Sequence, residues 1–251
     1  MKSVAIIQAR MCSNRLPGKV LMPLAGKPML LHIVERLQLG GCCDEVVVAT
    51  AVEDSNDPLV TLCEDNGISV YRGDLHDVLG RIYRVARERV ADIVVRVTGD
   101  CPLVDCGYIH KRVRLIEERG LDFTYGLSSS LVFAGASVMS MRYLEQLERE
   151  VVDPSDREHC GLPYALRHRH HVRSLEVIPD PELSHSGHRL TVDEQADYEM
   201  MSHLYDALYQ PGRPIPLGEA VRYLDQHPEI AALNEEVQQT PLPEKDVHFV
   251  K

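Results

Sequence analysis

The sequence lacks the features that would place it in a membrane, in a disulfide-stabilised scaffold or on nucleic acid. No apolar run approaches the roughly 20 residues that a membrane-spanning helix needs, and the apolar segment near the N-terminus is too short for a secretory signal. The seven cysteines include no Cys-x-x-Cys pair, so we expect reduced thiols in a cytoplasmic protein. A net charge of -11 argues against a nucleic-acid or anionic-membrane surface, because such surfaces are basic.

Acidic residues are also missing from the first 34 positions, which carry a net charge of +5 from five Lys and Arg side chains. This asymmetry indicates a local anion site near the N-terminus. The 251 residues are 44% apolar and 26% charged, which is typical of globular proteins. We expect a single α/β domain over residues 1–233 and a polar C-terminal tail over residues 234–251.

Short β-branched runs alternate with segments of helical periodicity in the first half of the chain. The predicted strands are Ser3–Gln8, Glu45–Ala49, Ile68–Tyr71 and Asp92–Val97. Asp57 and Asp77 are the expected caps of the helices that follow the second and third strands. This alternation predicts a three-layer α/β fold, with a mostly parallel sheet covered by helices on both faces. Function in such sheets lies at the carboxyl ends of the strands.

After Leu121 the pattern is less regular. Further strands are predicted at Asp122–Tyr125, Val132–Met139, Val172–Ile178 and Leu190–Val192. Further helices are predicted at Met141–Val151, Ser155–Leu166, Ala196–Leu208 and Gly218–His227. The absence of an internal repeat or a low-complexity linker indicates that this half extends the first domain.

The segment Gln8–Lys19, QARMCSNRLPGK, follows the first strand and supplies what a phosphate chain needs. It contains small residues for a tight turn and three cations, Arg10, Arg15 and Lys19. It matches neither the Walker spacing nor Gly-x-Gly-x-x-Gly. A solvated basic loop is the alternative, but the position after a strand and the absence of acids favour phosphate binding.

Two aspartates are candidates for binding a divalent cation. Asp100 directly follows the fourth strand, and Asp193 follows the predicted strand Leu190–Val192. Each alone is typical of a turn or a helix cap. Together they form a candidate metal pair, because one carboxylate rarely suffices for magnesium beside a nucleotide.

Other features carry weaker indications. Five histidines, which lack a tight zinc-ligand spacing, are interpreted as a polar segment: His168, His170, His171, His185 and His188. Cys101 is a candidate nucleophile, but because no base is identifiable we prefer a role in packing. Arg72 follows the third strand and is expected at the same rim of the sheet.

Seven segments taken together resemble the cytidylyltransferase family. They are IIQARMCSNRLPGKVL, GKPMLLHIVERL, DEVVVAT, YRGDLHDVLGRI, VVRVTGDCPLVD, DPSDREH and LTVDEQADY, and they run from residue 3 to about residue 205. The family includes the CMP-sialate and CMP-ketodeoxyoctonate synthetases, and the spore-coat polysaccharide biosynthesis branch is the part that this chain resembles most.

The resemblance implies a Rossmann-like, nucleotide-diphosphosugar-transferase-like domain. Such a protein transfers CMP from CTP to an acidic acceptor and releases pyrophosphate, usually as a homodimer with Mg²⁺. The acceptor classes that it implies are acidic sugars, sugar phosphates and phosphonates.

The resemblance also implies roles for individual residues. Four loop residues would contact the triphosphate: Arg10, Ser13, Arg15 and Lys19. Asp100 and Asp193 would hold the metal, whereas Arg72 and Thr98 would lie beside the nucleoside. The expected catalytic residues are Arg10, Lys19 and Asp100.

This chain departs from the family pattern at four positions, one of which is Leu190, where an aromatic residue often precedes the Thr-Val-Asp segment. Cys12 stands where Gly is usual, Asn14 where Thr is usual, and Ser137 where the acceptor-side segment has an acidic residue. Two other functions therefore stay open. One is a glycosyltransferase of the same architecture, which uses a sugar nucleotide; the other is a nucleotide-binding protein without catalysis.

Overall fold

A seven-stranded sheet forms the centre of the computed structural model, which describes residues 1–126, 136–179 and 187–238. The strands, in chain order, are β1 Ser3–Gln8, β2 Pro23–Leu24, β3 Lys27–Pro28, β4 Glu45–Ala51, β5 Ser69–Gly73, β6 Ile93–Thr98, β7 Phe123–Tyr125, β8 Ala136–Ser140 and β9 Ser174–Glu176. The strand order in the sheet is β5-β4-β1-β6-β8-β7-β9, and β2 and β3 form a separate two-stranded ribbon.

The sheet is mostly parallel, as the alternation of strands and helices predicts. Strands β5, β4, β1 and β6 are parallel, β8 is antiparallel to β6 and β7, and β9 is parallel to β7. The carboxyl ends of β1 and β6, which lie next to each other, therefore form the middle of one sheet edge.

Helices connect the strands. The α-helices of the described residues are α1 Met29–Gly40, α2 Asp57–Asp65, α3 Val78–Glu88, α4 Cys106–Arg119, α5 Met141–Glu150, α6 Pro154–His159, α7 Leu162–Arg167, α8 Gln195–Leu208, α9 Leu217–Gln226 and α10 Pro228–Ala231. Short 3-10 helices cover Lys19–Leu21, Asp54–Asn56 and Ala232–Asn234. Within the described ranges, none of the helices has the length and apolar character to cross a membrane.

Alternate residues of β1 face two different helical layers. Val4 and Ile6 pack with α3 and α5 in one buried cluster, whereas Ala5 and Ile7 pack with α1 and α4 in a second. All four side chains are fully buried, which explains why this strand is continuously apolar in sequence. A third cluster joins α8 and α9 to the ribbon and the loop after β1. The predicted three-layer α/β fold is confirmed.

Two predicted elements are wrong. Leu190–Val192 forms no strand. The backbone N–H of Val192 donates to the carbonyl of Asp100 at 2.8 Å, but these residues belong to no strand pair of the described chain. The helix predicted over Ser155–Leu166 is divided into α6 and α7, because Cys160 and Gly161 have φ angles of 46° and 103°, which a right-handed helix does not allow.

One of the two predicted helix caps is confirmed. The Asp77 carboxylate accepts a hydrogen bond from the backbone N–H of Gly80 at 3.0 Å and caps α3. Asp57, by contrast, lies inside α2, and Asn56 holds the cap position. Asn56 does not cap the helix with its side chain, because its Oδ1 accepts a hydrogen bond from the N–H of Met11 at 2.9 Å.

Other predicted elements agree to within a few residues, although residues 132–135 of the predicted strand Val132–Met139 lie outside the described residues. The tail predicted from residue 234 stays a prediction, because residues 239–251 are also outside them. Asn234 itself is only 4% exposed.

Arg112 of α4 is a buried cation that holds the antiparallel part of the sheet. It is 1% exposed, its Nε donates to Thr124 Oγ1 at 3.1 Å and its Nη1 to the Ala136 carbonyl at 2.9 Å. The Thr124 carbonyl accepts from Nη2. Burial lowers the pKa of Arg112 to about 10, so the group stays charged at neutral pH.

We expect Arg112→Met to lower the free energy of unfolding by about 2–4 kcal/mol, because strand oxygens lose a charged donor. Denaturant unfolding at pH 7 measures this change. The control is Arg114→Gln, which removes an exposed ion pair with Glu118 and should change stability by less than about 0.5 kcal/mol. Equal effects of the two variants would contradict the assigned role.

Candidate active site

The loop after β1 and the turn after β6 meet at the carboxyl edge of the sheet. The backbone N–H of Gly99 donates to the carbonyl of Gln8 at 2.9 Å. A Cβ on Gly99 would lie 3.1 Å from that oxygen and 3.0 Å from the Cβ of Ala9, so glycine allows this close approach. The contact brings Asp100 next to the loop.

The loop is closed by its own backbone. The carbonyl of Met11 accepts hydrogen bonds from the N–H groups of Ser13 at 3.0 Å and Gly18 at 2.9 Å. Gly18 has a φ of 73°, a left-handed conformation that favours glycine. The Ser13 hydroxyl accepts from the N–H of Leu16 at 3.4 Å. This compact turn begins the 3-10 helix that carries Lys19.

The Lys19 ammonium group connects three distant segments of the chain. Its Nζ donates to Asp100 Oδ2 at 3.1 Å, to Asp193 Oδ1 at 3.0 Å and to the carbonyl of Val192 at 2.8 Å. The Lys19 side chain is 10% exposed, and those of Asp100 and Asp193 are 24% and 12% exposed. The two predicted metal ligands therefore lie side by side, with an ammonium group between them.

A second set of charges surrounds Asp193. Its Oδ2 accepts a hydrogen bond from Arg189 Nη2 at 2.5 Å and forms an ion pair with Arg15 Nη2 at 3.0 Å. Arg189 Nε donates to Asp197 Oδ1 at 3.0 Å, and Asn234 donates to the same oxygen at 2.9 Å. Asp197 is fully buried. Its carboxylate therefore holds the Arg189 guanidinium in place, and Arg189 in turn holds the Asp193 carboxylate.

Arg189, Asp197 and Asn234 were not predicted from the sequence. The sequence does contain a pattern that could have indicated the first two. Arg189, Asp193 and Asp197 are spaced four residues apart, a spacing at which opposite charges often pair. Glu194 and Asp197 also form a capping box at the start of α8, a pattern that is readable from sequence. Asn234 lies 37 residues from Asp197 and carries no local signal.

Arg10 and Arg72, two other predicted nucleotide contacts, pair with acidic residues outside the Lys19 group. Arg10 Nη2 is 3.9 Å from Glu158 Oε1. Arg72 donates to Asp57 Oδ1 at 2.7 Å and to the carbonyls of Val52 and Glu53. Thr98 is in register with Gln8 at the end of β6, two residues before Asp100. Arg10 and Lys19, which belong to the same loop, thus contact different carboxylates.

The weaker candidates from the sequence gain no support. Cys101 is buried, and burial together with Asp100 raises the pKa of its thiol, which makes it a poor nucleophile. Among the described residues, no group of three or more His, Cys, Asp or Glu side chains is placed to hold a metal; His185 lies outside them.

The fold is that of nucleotidyltransferases. A cytidylyltransferase from Leptospira borgpetersenii serovar Hardjo-bovis has a similar structure, with a TM-score of 0.84 and 28% identity, over 96% of this chain and 99% of that one.

The family model for cytidylyltransferases matches residues 4–210, and the chain belongs to the cytidylyltransferase family. An uncharacterized protein of Methanocaldococcus jannaschii is 30% identical over 95% of this chain and 97% of its own length. The spore coat polysaccharide biosynthesis protein SpsF of Bacillus subtilis is 30% identical over 92% and 97% of the two chains. The resemblance inferred from the sequence is confirmed, and the protein is a CTP-dependent nucleotidyltransferase.

The charge network makes the fold sensitive to acid. Burial alone would raise the pKa of Asp193, but Lys19, Arg15 and Arg189 outweigh it and hold the pKa below its usual range. Burial alone would lower the pKa of Lys19, but Asp100 and Asp193 raise it. The stabilisation from the Asp193 carboxylate is complete above its unfolded pKa of about 4 and is lost as the pH falls through the lower folded pKa.

We expect Asp193→Asn to destabilise the protein by about 3 kcal/mol at pH 7, because buried cations lose their partner. The difference from wild type should shrink as the pH falls below about 4, because the carboxylate of the unfolded wild type is protonated first and that of the folded protein at lower pH. Denaturant midpoints measured from pH 7 down to pH 3 test this, with exposed Asp206→Asn as control. A difference that is independent of pH would contradict the assignment.

Proposed function

We propose that the protein transfers CMP from CTP to a small acidic acceptor and releases pyrophosphate, with Mg²⁺ as its cofactor. The observation that carries this proposal is the convergence of Lys19, Asp100 and Asp193 at the mouth of the loop after β1. Cations and carboxylates at one strand edge are what a nucleoside triphosphate with its metal requires.

We assign the loop to the triphosphate. Its proposed contacts are Arg10, Ser13, Arg15 and Lys19. Lys19 and Arg15 now neutralise Asp193, so they can turn to phosphate oxygens only if another cation takes their place. Arg72 and Thr98, at the ends of β5 and β6, are the proposed neighbours of the nucleoside.

The carboxylates of Asp100 and Asp193 have the donor atoms that a divalent metal requires. Carboxylate oxygens are ligands that Mg²⁺ prefers, and the pair already holds a cation, the Lys19 ammonium group. A Mycobacterium tuberculosis protein of this fold, with 18% identity and a TM-score of 0.55, has a structure in complex with manganese. The metal would neutralise charge that develops on the phosphate oxygens during transfer.

The reaction proposed is in-line attack of an acceptor oxygen on the α-phosphorus of CTP, with pyrophosphate as the leaving group. It needs no covalent enzyme intermediate. Arg10 and Lys19 would stabilise the charge that builds on the departing group, and Asp100 would act through the metal. Fixed charges and positioning supply most of the rate acceleration in such phosphoryl transfers.

An acidic sugar is one acceptor class that a relative supports. The 3-deoxy-manno-octulosonate cytidylyltransferase of Trichlorobacter lovleyi is 37% identical over 114 residues, which are 45% of this chain and 44% of that protein. Sugar phosphates and phosphonates belong to the same proposal. A homodimer and a cytoplasmic location stay predictions from the sequence.

The first test is pyrophosphate release from CTP, Mg²⁺ and a panel of acidic acceptors. We expect Lys19→Ala and Asp100→Asn each to remove about 2–4 kcal/mol of transition-state stabilisation, by analogy with the loss of an oxyanion donor. Lys27→Ala is the matched control, because Lys27 also lies in the first 34 residues but pairs with Glu35 at 2.9 Å.

Unchanged turnover in both active-site variants would rule out their assigned roles. A glycosyltransferase would consume a sugar nucleotide and release no pyrophosphate. A catalytically silent protein would bind CTP and turn over none of the acceptors.

The second test concerns the metal. Chelation should abolish turnover, and Asp193→Asn should raise the Mg²⁺ concentration that gives half-maximal activity by at least about tenfold, since a charged ligand is lost. The exposed Asp206→Asn variant should respond to Mg²⁺ like wild type. Full activity in chelator would remove the metal from the mechanism.

A further inference from the structure

The segment between β4 and α2, residues 52–56, contacts both parts of the proposed nucleotide site. It contains the 3-10 helix Asp54–Asn56. On one side it contacts the loop after β1, where Cys12 Sγ lies 3.3 Å from Ser55 Oγ. On the other side it accepts hydrogen bonds from Arg72 of β5. The proposed contacts of the triphosphate and of the nucleoside therefore share a neighbour.

The Asn56 side chain holds the loop after β1 by its backbone. Asn56 is fully buried, and its Oδ1 accepts a hydrogen bond from the N–H of Met11 at 2.9 Å. Met11 is also the residue on which the loop closes, because its carbonyl accepts the N–H groups of Ser13 and Gly18. One buried carboxamide therefore fixes the residue around which the loop turns.

This use of the Asn56 side chain is unusual for its place in the fold. Asn56 holds the cap position of α2, where the side-chain oxygen of an asparagine ordinarily accepts from an N–H of the first helical turn. Among the described residues it makes no such bond. The contact with Met11 replaces a local bond by one between residues 45 positions apart. The side chain thus serves the loop and not the helix that it begins.

The amide nitrogen of Asn56 continues the connection to Arg72. Asn56 Nδ2 donates to the carbonyl of Glu53 at 3.2 Å, and Arg72 Nη2 donates to the same carbonyl at 3.1 Å. Arg72 also donates to the Val52 carbonyl and to Asp57 Oδ1, both at 2.7 Å. Because two side chains share the Glu53 carbonyl, a displacement of that group changes a bond of each.

We propose that Asn56 is a positioning residue for the nucleotide, which links the loop after β1 to Arg72 through the Glu53 carbonyl. The inference rests on the proposed function, in which the loop takes the triphosphate and Arg72 lies beside the nucleoside. Asn56 is buried and acts through Met11 and Glu53. A loop that is held in its binding conformation before the ligand arrives loses less conformational entropy on binding. Asn56 therefore contributes to the affinity for CTP at both ends of the ligand.

Calorimetric titration of the full chain with the Mg²⁺ complex of a non-cleavable α,β-methylene analogue of CTP tests the inference. Asn56→Ala removes both side-chain bonds and should weaken analogue binding by at least about tenfold, because the loop is no longer preorganised. Asn56→Asp keeps an acceptor for the Met11 N–H but lacks the donor to Glu53. It should therefore lose less affinity than Asn56→Ala.

The titration separates positioning from a general loss of structure. A variant that only folds poorly would show fewer binding sites per chain with an unchanged dissociation constant, whereas a positioning role changes the dissociation constant at full stoichiometry. Asn66→Ala is the matched control, because Asn66 lies at the other end of α2 and likewise donates a side-chain bond, to the carbonyl of Leu62 at 2.8 Å. It should bind the analogue like wild type.

Hydrogen–deuterium exchange of the wild type gives a second measurement that needs no variant. The probe is inorganic tripolyphosphate with Mg²⁺, which contains no nucleoside to contact Arg72. Its binding should slow amide exchange by at least about threefold in residues 9–19, and also in residues 53–56, because Asn56 links the two segments. This experiment decides the question if Asn56→Ala does not fold.

Folded Asn56→Ala that binds the analogue as tightly as wild type would overturn the inference, and so would tripolyphosphate that slows exchange in the loop alone. Failure of the wild type to bind the CTP analogue would have a different meaning. In that case the proposed function fails, and the inference falls with it.

Discussion

The ammonium group of Lys19 is the contact on which the site depends. It joins the turn after β1, the turn after β6 and the segment before α8, which are far apart in the sequence. An isolated buried ammonium would be strongly destabilising, whereas two carboxylates and a carbonyl satisfy all three of its donors. In the proposed reaction this arrangement would undergo an exchange. A metal would replace the ammonium between the carboxylates, and phosphate oxygens would replace the carboxylates around the ammonium.

This exchange is supported by a second layer that holds the carboxylates in place. Asp197 is fully buried, and its Oδ2 accepts hydrogen bonds from the backbone N–H groups of Asp193 and Glu194 at 2.9 and 3.0 Å. These bonds hold the start of α8 without any contribution from the loop. Asn234 adds a bond from near the end of the described chain. Residues far from the loop thereby determine where Asp193 stands. A site that changes its cations during a reaction needs such support, because its direct contacts are the ones that break.

Much of the fold was readable from the sequence, since β1, β4 and β6 are apolar on both faces and alternate with helices of clear periodicity. The loop, Asp100 and Asp193 were also readable, because each stands next to a recognisable element. The failures share a cause. Leu190–Val192 has the composition of a strand but pairs with no strand of the described residues, and Arg10 and Lys19 occupy one short loop yet contact different carboxylates. Strand pairing and side-chain partners are properties of the folded chain, which local pattern does not contain.

The pairing of Lys19 and Arg15 with Asp193 has a physical reason in the reaction proposed. A polyanionic nucleotide and an anionic acceptor repel each other, and a chain of net charge -11 adds to that repulsion at long range. Local cations must therefore offset the charge of the substrates. In the structure these cations are neutralised by Asp193, so the burial of Lys19 is compensated before a substrate binds. In the proposed reaction, the metal that arrives with the nucleotide would take over the charge of Asp193, and the two cations would then be available to the phosphate oxygens.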